Sequence, residues 1–234
     1  MPLPVLTEQN ILDIVYALYE GDVTNWIPES EEYLTARIYA NAAINRWEFY
    51  EQTNWRELWT PLTDASDGDK TLTAGTYAYR CPTNMIKPAS YVRTVGNGSV
   101  SKYWDVVSLS KVPSLKLEDY NYCYFTGNIK NGFTLHFNPN VVLNTGDILN
   151  YEYYKSATKF TTPTSTTEMS DPYFIVYFVI SRLFENDGED GRASKAFQEA
   201  EGRLENMKVA NIIHLEGVKD NIEDTIDNLT GFGI

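Results

Sequence analysis

The chain has 234 residues, 43% of them hydrophobic, which is enough to bury a core and too many for a disordered segment. Its formal net charge is -13, with 32 Asp and Glu against 19 Lys and Arg, and this argues against a basic surface that grips nucleic-acid phosphates. The two cysteines, Cys81 and Cys123, make no disulfide framework and no C-x-x-C site, and the longest apolar run, 173–180, is far too short to span a bilayer.

In chain order, Thr7 opens a helix whose Ile11, Ile14, Val15, Leu18 and Tyr19 recur at helical spacing, and Gly21 closes it. A turn at 21–28 leads to a second, longer helix over 30–52. Ser30 is its N-cap, and Glu31 and Glu32 suit the first turn. Tyr33, Ala36, Ala40, Ala43, Trp47 and Tyr50 fall on one apolar stripe, and Leu34, Ile38, Ala42 and Phe49 on another. Arg37, Asn41, Asn45, Glu48 and Gln52 make a polar line. A helix with two apolar lines must meet two neighbours, whether in its own chain or in another subunit, and Leu34, Ile38 and Phe49 are the candidates for a subunit contact. An aromatic knot of Trp55, Leu58 and Trp59 ends at Pro61, and 64–69 is a polar loop.

From Thr71 the period changes to two. Strands are expected over 76–80, 90–95, 103–107, 120–126, 133–137 and 148–154, with Asn131-Gly132 as a hairpin turn. A Thr- and Pro-rich connector spans 159–167. Asp171-Pro172 then signals a helix, with Asp as N-cap and Pro at the first helical position. The run YFIVYFVI could be a strand by composition, but the cap and the continuation through Leu183 and Phe184 favour a buried helix. A further helix from about Ala193 carries Ala196, Phe197, Ala200, Leu204 and Met207 on one stripe. The tail after Asn211 crowds Glu216, Asp220, Glu223, Asp224 and Asp227 against a single Lys219. Leu215, Val218, Ile222, Ile226 and Leu229 form an apolar line along it, and Phe232 and Ile234 end the chain. Gly217 weakens a helical continuation, so 211–234 is expected to be a docking arm that orders on a partner, the alternative being an arm folded back on its own subunit or frayed.

The pieces amount to an α+β fold: a helical bundle from the N- and C-terminal helices with an inserted antiparallel β lobe. The expected division is 1–62 for the N-terminal helices, 63–158 for the β lobe, 168–211 for the C-terminal helices and 212–234 for the arm. No catalytic constellation is legible. The loop DASDGD at 64–69 puts glycine at the fifth position of a calcium loop, not the sixth, and Gly75 stands where the bidentate Glu is needed. Counting from Asn186, Gly191 is correctly placed, but Gly188 and Phe197 occupy ligand positions. His136 and His214 have no ligand partners at zinc spacing. No nucleophile elbow, phosphate-binding loop or dinucleotide fingerprint exists. No metal or cofactor is expected, and Cys81 and Cys123 read as packing thiols of a reducing compartment. The opening residues lack the basic start and long apolar run of a signal peptide.

The order of these pieces resembles the head-to-tail adaptor (connector, head-completion) proteins of tailed bacteriophages. The first stretch that carries the resemblance is 11–59, the short helix and the long aromatic helix. The second is TLTAGTYAYRCP at 71–82, leading into 86–95. The third is FTLHFNP at 133–139, then Gly146-Asp147 and 148–155, followed by Asp171-Pro172 and two helices. The acidic tail and the length of the β lobe depart from the pattern. The resemblance implies a structural virion protein of the head-tail junction, assembled in the host cytoplasm and without catalysis. It implies a homo-oligomeric ring, usually a dodecamer, below the portal protein, which extends the DNA channel and docks tail or neck proteins. Genomic DNA would pass without specific binding, no membrane is involved, and a terminal arm would reach the portal. The competing reading is a small hydrolase or a carbohydrate-binding β module with helical flanks, its aromatic strands over 120–137 stacking on sugars.

Overall fold

The computed structural model describes residues 6–21, 26–62, 67–88, 91–96, 101–115 and 120–230, with side chains to residue 212. The chain is a mixed helix-and-sheet protein that divides into two units, 1–57 with 157–234, and 58–156.

The first unit holds the long helices. Helix α1 (Glu8–Glu20) opens on a capping box: the Thr7 hydroxyl accepts from Asn10 N at 3.3 Å, and Asn10 Oδ1 accepts from Thr7 N at 3.2 Å. Gly21 closes it in the left-handed conformation (φ 73°) that a residue with a Cβ rarely adopts. Helix α2 (Glu31–Glu48) is capped by Ser30, whose hydroxyl accepts from Tyr33 N at 3.2 Å, and it ends four residues before the expected 52, since Glu51 and Gln52 take positive φ (45° and 58°). Its first stripe faces inward: Tyr33, Ala36, Ala40, Ala43 and Trp47 are fully buried, together with Ile44. Tyr50 is only half-buried.

The run YFIVYFVI is helical, part of α4 (Tyr173–Asn186), and α3 is a single short turn (Val112–Leu115). The α4 cap differs by one position from expectation. Pro172 is the N-cap residue, and the Asp171 carboxylate accepts from Tyr173 N at 3.1 Å. Nine of the 14 residues of α4 are buried, around its whole circumference, because it packs against α1, α2 and α5. The middle of this unit is therefore α4.

Helix α5 (Asp190–Thr230) starts three residues before its expected start. It runs through Gly217 without a break, a cost of only about 1 kcal/mol that neighbouring turns absorb. Asn211, expected to begin the arm, belongs to the packed part of α5. It is buried, donates from Nδ2 to Asn54 O at 2.9 Å and accepts from Arg56 N at 3.1 Å.

The second unit contains two sheets, not one. The larger has the strand order β2-β7-β6-β5-β4-β8, and the smaller the order β1-β9-β3. The larger comprises β2 (Ala78–Arg80), β4 (Tyr91–Val95), β5 (Lys102–Val106), β6 (Tyr122–Asn128), β7 (Gly132–Phe137) and β8 (Ile148–Asn150). The smaller comprises β1 (Trp59–Pro61), β3 (Met85–Pro88) and β9 (Glu152–Lys155). The expectation of a purely antiparallel unit needs correction, since β5 and β6 pair in parallel through Asp105–Tyr122 and Val106–Cys123. The connection between them includes α3, and a crossover of that kind is what parallel neighbours require. The single strand expected over 148–154 is divided at the buried Tyr151, with β8 in one sheet and β9 in the other. Strands β1 and β3 were not expected. Both contain Pro, which leaves ladder positions unpaired and weakens the alternating signal.

The interior of this unit is aromatic. Trp104 and Phe137 meet edge to face at 4.6 Å, and the Trp104 indole donates to Thr94 Oγ1 at 3.1 Å. Cys81 and Cys123 are both buried free thiols. The β6–β7 hairpin falls where Asn131-Gly132 predicts it, but its geometry is wider than a two-residue turn. Asn128 Oδ1 accepts from Lys130 N (3.0 Å) and Asn131 N (2.9 Å), and Gly127 and Gly132 both take positive φ. A Cβ on Gly127 would stand 2.1 Å from the Gly132 carbonyl oxygen, so only glycine fits there.

Candidate interaction surfaces

The second apolar line of α2 faces outward. Leu34, Ile38 and Phe49 are 38%, 67% and 54% exposed, and Ala42 between them is also exposed. At 1.5 Å per residue the line from Leu34 to Phe49 is about 22 Å long. The opposite side of the same helix is fully buried. Leu34 and Ile38 therefore lie on the outer side of a helix anchored by its buried face, and Phe49 is exposed at the C-cap just beyond it.

Asn45 and Gln52 of the polar line are exposed, but Arg37, Asn41 and Glu48 are engaged with the rest of the unit. Asn41 makes a paired hydrogen bond with the backbone of Phe160, donating from Nδ2 to its carbonyl at 2.9 Å and accepting from its N–H at 2.8 Å. Glu48 is buried, accepting from Ala157 N at 3.0 Å and from Lys159 Nζ at 2.8 Å. Arg37 reaches two carboxylates, Glu8 and Glu29, each at 2.6 Å. Burial alone would lower the Arg37 guanidinium, but the Glu29 and Glu8 contacts outweigh it and hold it above its ordinary value. Burial, then the Glu8 charge, raises the Tyr33 hydroxyl beside them. Glu8 is fully buried, and its backbone N–H donates to Ser165 O at 2.7 Å. The polar side chains of α2 thus fasten α1 and the 157–168 segment, which is why that Thr- and Pro-rich connector is ordered without being helix or strand. The signal lay in the spacing of Arg37, Asn41 and Glu48, a polar line between two apolar ones, which suits contact with backbone as well as with water.

The chemistry-bearing residues elsewhere serve local structure. His136 Nε2 lies 2.8 Å from Thr126 Oγ1, its ring stacks on Tyr124, and burial lowers its pKa. Asp67 accepts from both the backbone N–H and the hydroxyl of Thr83, which holds its carboxyl below the usual range, and Asp69 accepts from Arg80 N. Burial pushes the Cys81 thiol up to about 11 and raises Cys123 further, the opposite of what a nucleophile needs. Among the described residues no three His, Cys, Asp or Glu side chains gather at metal-binding range, and no helix is long and apolar enough to cross a membrane.

Charge is divided unevenly. The unit 1–57 with 157–234 has 24 Asp and Glu against ten Lys and Arg, a net of -14. The unit 58–156 has eight against nine, a net of +1. All of the chain's acidic surplus therefore lies in the helical unit. Of the arm candidates, Leu215, Val218, Ile222, Ile226 and Leu229 lie on the last turns of α5, where the backbone alone is described. Phe232 and Ile234, like Asp64 of the 64–69 loop, fall outside the described residues. Comparison with known protein families finds no match, and comparison with curated proteins finds none.

Proposed function

We propose that this chain is a structural virion protein, a head-to-tail adaptor of a tailed bacteriophage that forms a ring below the portal and extends the DNA channel towards the tail. In this reading α1, α2, α4 and α5 form one bundle, and the β unit is a lobe inserted between α2 and α4. The observation that carries the reading is the exposed apolar row of Leu34 and Ile38 on α2, continued by Phe49 at its C-cap, opposite a helix face that is fully buried. Apolar side chains held outward in a row suit a protein–protein contact better than they suit water. The order of helices and strands, which prompted the resemblance, supports it. The charge partition supports it as well: a helical unit of net -14 repels phosphates, so a channel wall that it lined would let DNA slide. The end of α5 is the docking arm, and the portal is its partner by resemblance.

The test is reconstitution on portal-bearing heads from which the neck is missing. Electron microscopy should show a ring of this protein seated on the portal. Ile38→Asp, a change at an exposed site, should abolish the ring while leaving the melting temperature within a few degrees of wild type. The isolated protein should not bind duplex DNA tightly. A purified protein that stays monomeric with portal present, or that retains DNA in a salt-sensitive way, would overturn the reading.

A further inference from the structure

A cleft of about 470 Å³ lies between α1, α4 and α5, within the helical unit. Its floor is apolar: Leu18, half exposed, with Ile180 and Phe184. Its α5 side carries Arg192 and Lys195, two of the ten cations in a unit with 24 acids. Lys195 is exposed and makes no ion pair among the described residues. Arg192 stacks 3.8 Å over the Phe184 ring and has one exposed partner, Glu189, at 2.8 Å, a pair that contributes little in water. Glu199, the one acid on the cleft wall, is already engaged by Arg203 at 3.1 Å. The cleft therefore suits a ligand with apolar anchors and negative charge.

We propose that this cleft receives residues 213–234 of a second copy of the chain. That segment has the complementary chemistry in its sequence: Leu215, Val218, Ile222, Ile226 and Leu229 at helical spacing, with five acids against Lys219. A chain's own segment does not reach its own cleft. Lys195 and Thr230 are on the same continuous helix, so at 1.5 Å per residue they stand about 50 Å apart. A socket near one end of a helix and its ligand at the other give a head-to-tail contact, which closes into a ring or runs on as a filament. The inference goes beyond the adaptor reading, in which the portal is the arm's partner, by giving the arm a second partner in the neighbouring subunit, and rests on that reading only for closure of the ring.

The experiment is a fluorescence anisotropy titration of a labelled synthetic peptide of residues 213–234 with the full-length protein. Saturable binding is expected. It should weaken roughly tenfold or more in the double variant Arg192→Glu, Lys195→Glu, and likewise in Leu18→Asp, a change at a half-exposed position. Lys130→Glu, at the exposed tip of the β6–β7 hairpin, should leave binding unchanged. Circular dichroism melts establish that each variant is folded. Absence of saturable binding, or binding indifferent to the two cleft charges, overturns the inference. A peptide that binds the portal but not this protein overturns it and leaves the adaptor reading standing. A peptide that binds this protein while no ring forms on portal-bearing heads does the reverse.

Discussion

Replacing Trp47 by Ala should destabilise the fold by about 4 kcal/mol. The side chain is fully buried, its ring lies 5.4 Å from that of Trp55, and its backbone carbonyl accepts the Trp55 indole N–H at 2.6 Å. A buried Trp removes roughly 200 Å² from water, which at about 25 cal/mol per Å² is ~5 kcal/mol. The Trp47 indole N–H is itself buried with no acceptor among the described residues, a penalty of ~1 kcal/mol that the mutation relieves. The remainder falls within the ~3–5 kcal/mol measured for emptying such sites. At ~2–4 °C per kcal/mol for a chain of this size, the melting temperature should drop by ~8–16 °C. Trp47→Phe keeps an aromatic ring and removes the unpaired donor, so its cost should stay below ~1.5 kcal/mol. Thermal and urea unfolding followed by circular dichroism and Trp fluorescence would measure both. An unchanged midpoint for the Ala variant would mean that the Trp47 stripe does not face the core, and the inside-outside assignment of α2 would fail with it.

Gly127→Ala should cost at least ~1 kcal/mol, because φ is 100° there and the added Cβ meets the Gly132 carbonyl oxygen; urea midpoints no lower than wild type would contradict the hairpin geometry. Glu48→Ala should cost ~2–4 kcal/mol by leaving the Ala157 N–H and Lys159 unpaired, and Glu48→Gln should recover part of that, since the amide oxygen still accepts from Ala157. Equal midpoints for the two variants would argue against the backbone contact. Tyr19 gives a pH test. Its hydroxyl donates to Asp187, and that bond, then burial, raises its pKa from 10 to about 12. The stabilisation is fully present below pH 10 and is lost as pH rises through about 12, because the unfolded chain releases the proton first. Alkaline melts should therefore steepen between those values in wild type and less so in Tyr19→Phe; identical profiles would remove the Tyr19–Asp187 bond from the account.

Helix limits and inward faces were legible wherever the determinant is local. Thr7 as the first helix start, Ser30 as N-cap, Gly21 as a stop and the Tyr33-to-Trp47 stripe each rest on neighbours a turn away, and each appears in the structure as the residues imply. The outward setting of Leu34, Ile38 and Phe49 was not decided by that spacing, because a second apolar line can equally meet a neighbour within the chain, as the residues around α4 do. Alternation located most strands. What spacing alone could not decide was which strand meets which. The parallel β5–β6 pair, the assignment of β8 and β9 to separate sheets and the pairing of β1 with β9 depend on contacts between residues far apart in sequence, and a period of two is the same in every such arrangement. Burial of charge was hidden for the same reason. Glu48 and Glu8 look like surface residues until Lys159, Ala157 and Arg37 are brought to them by folding, and only those partners make it possible for a carboxylate to leave water.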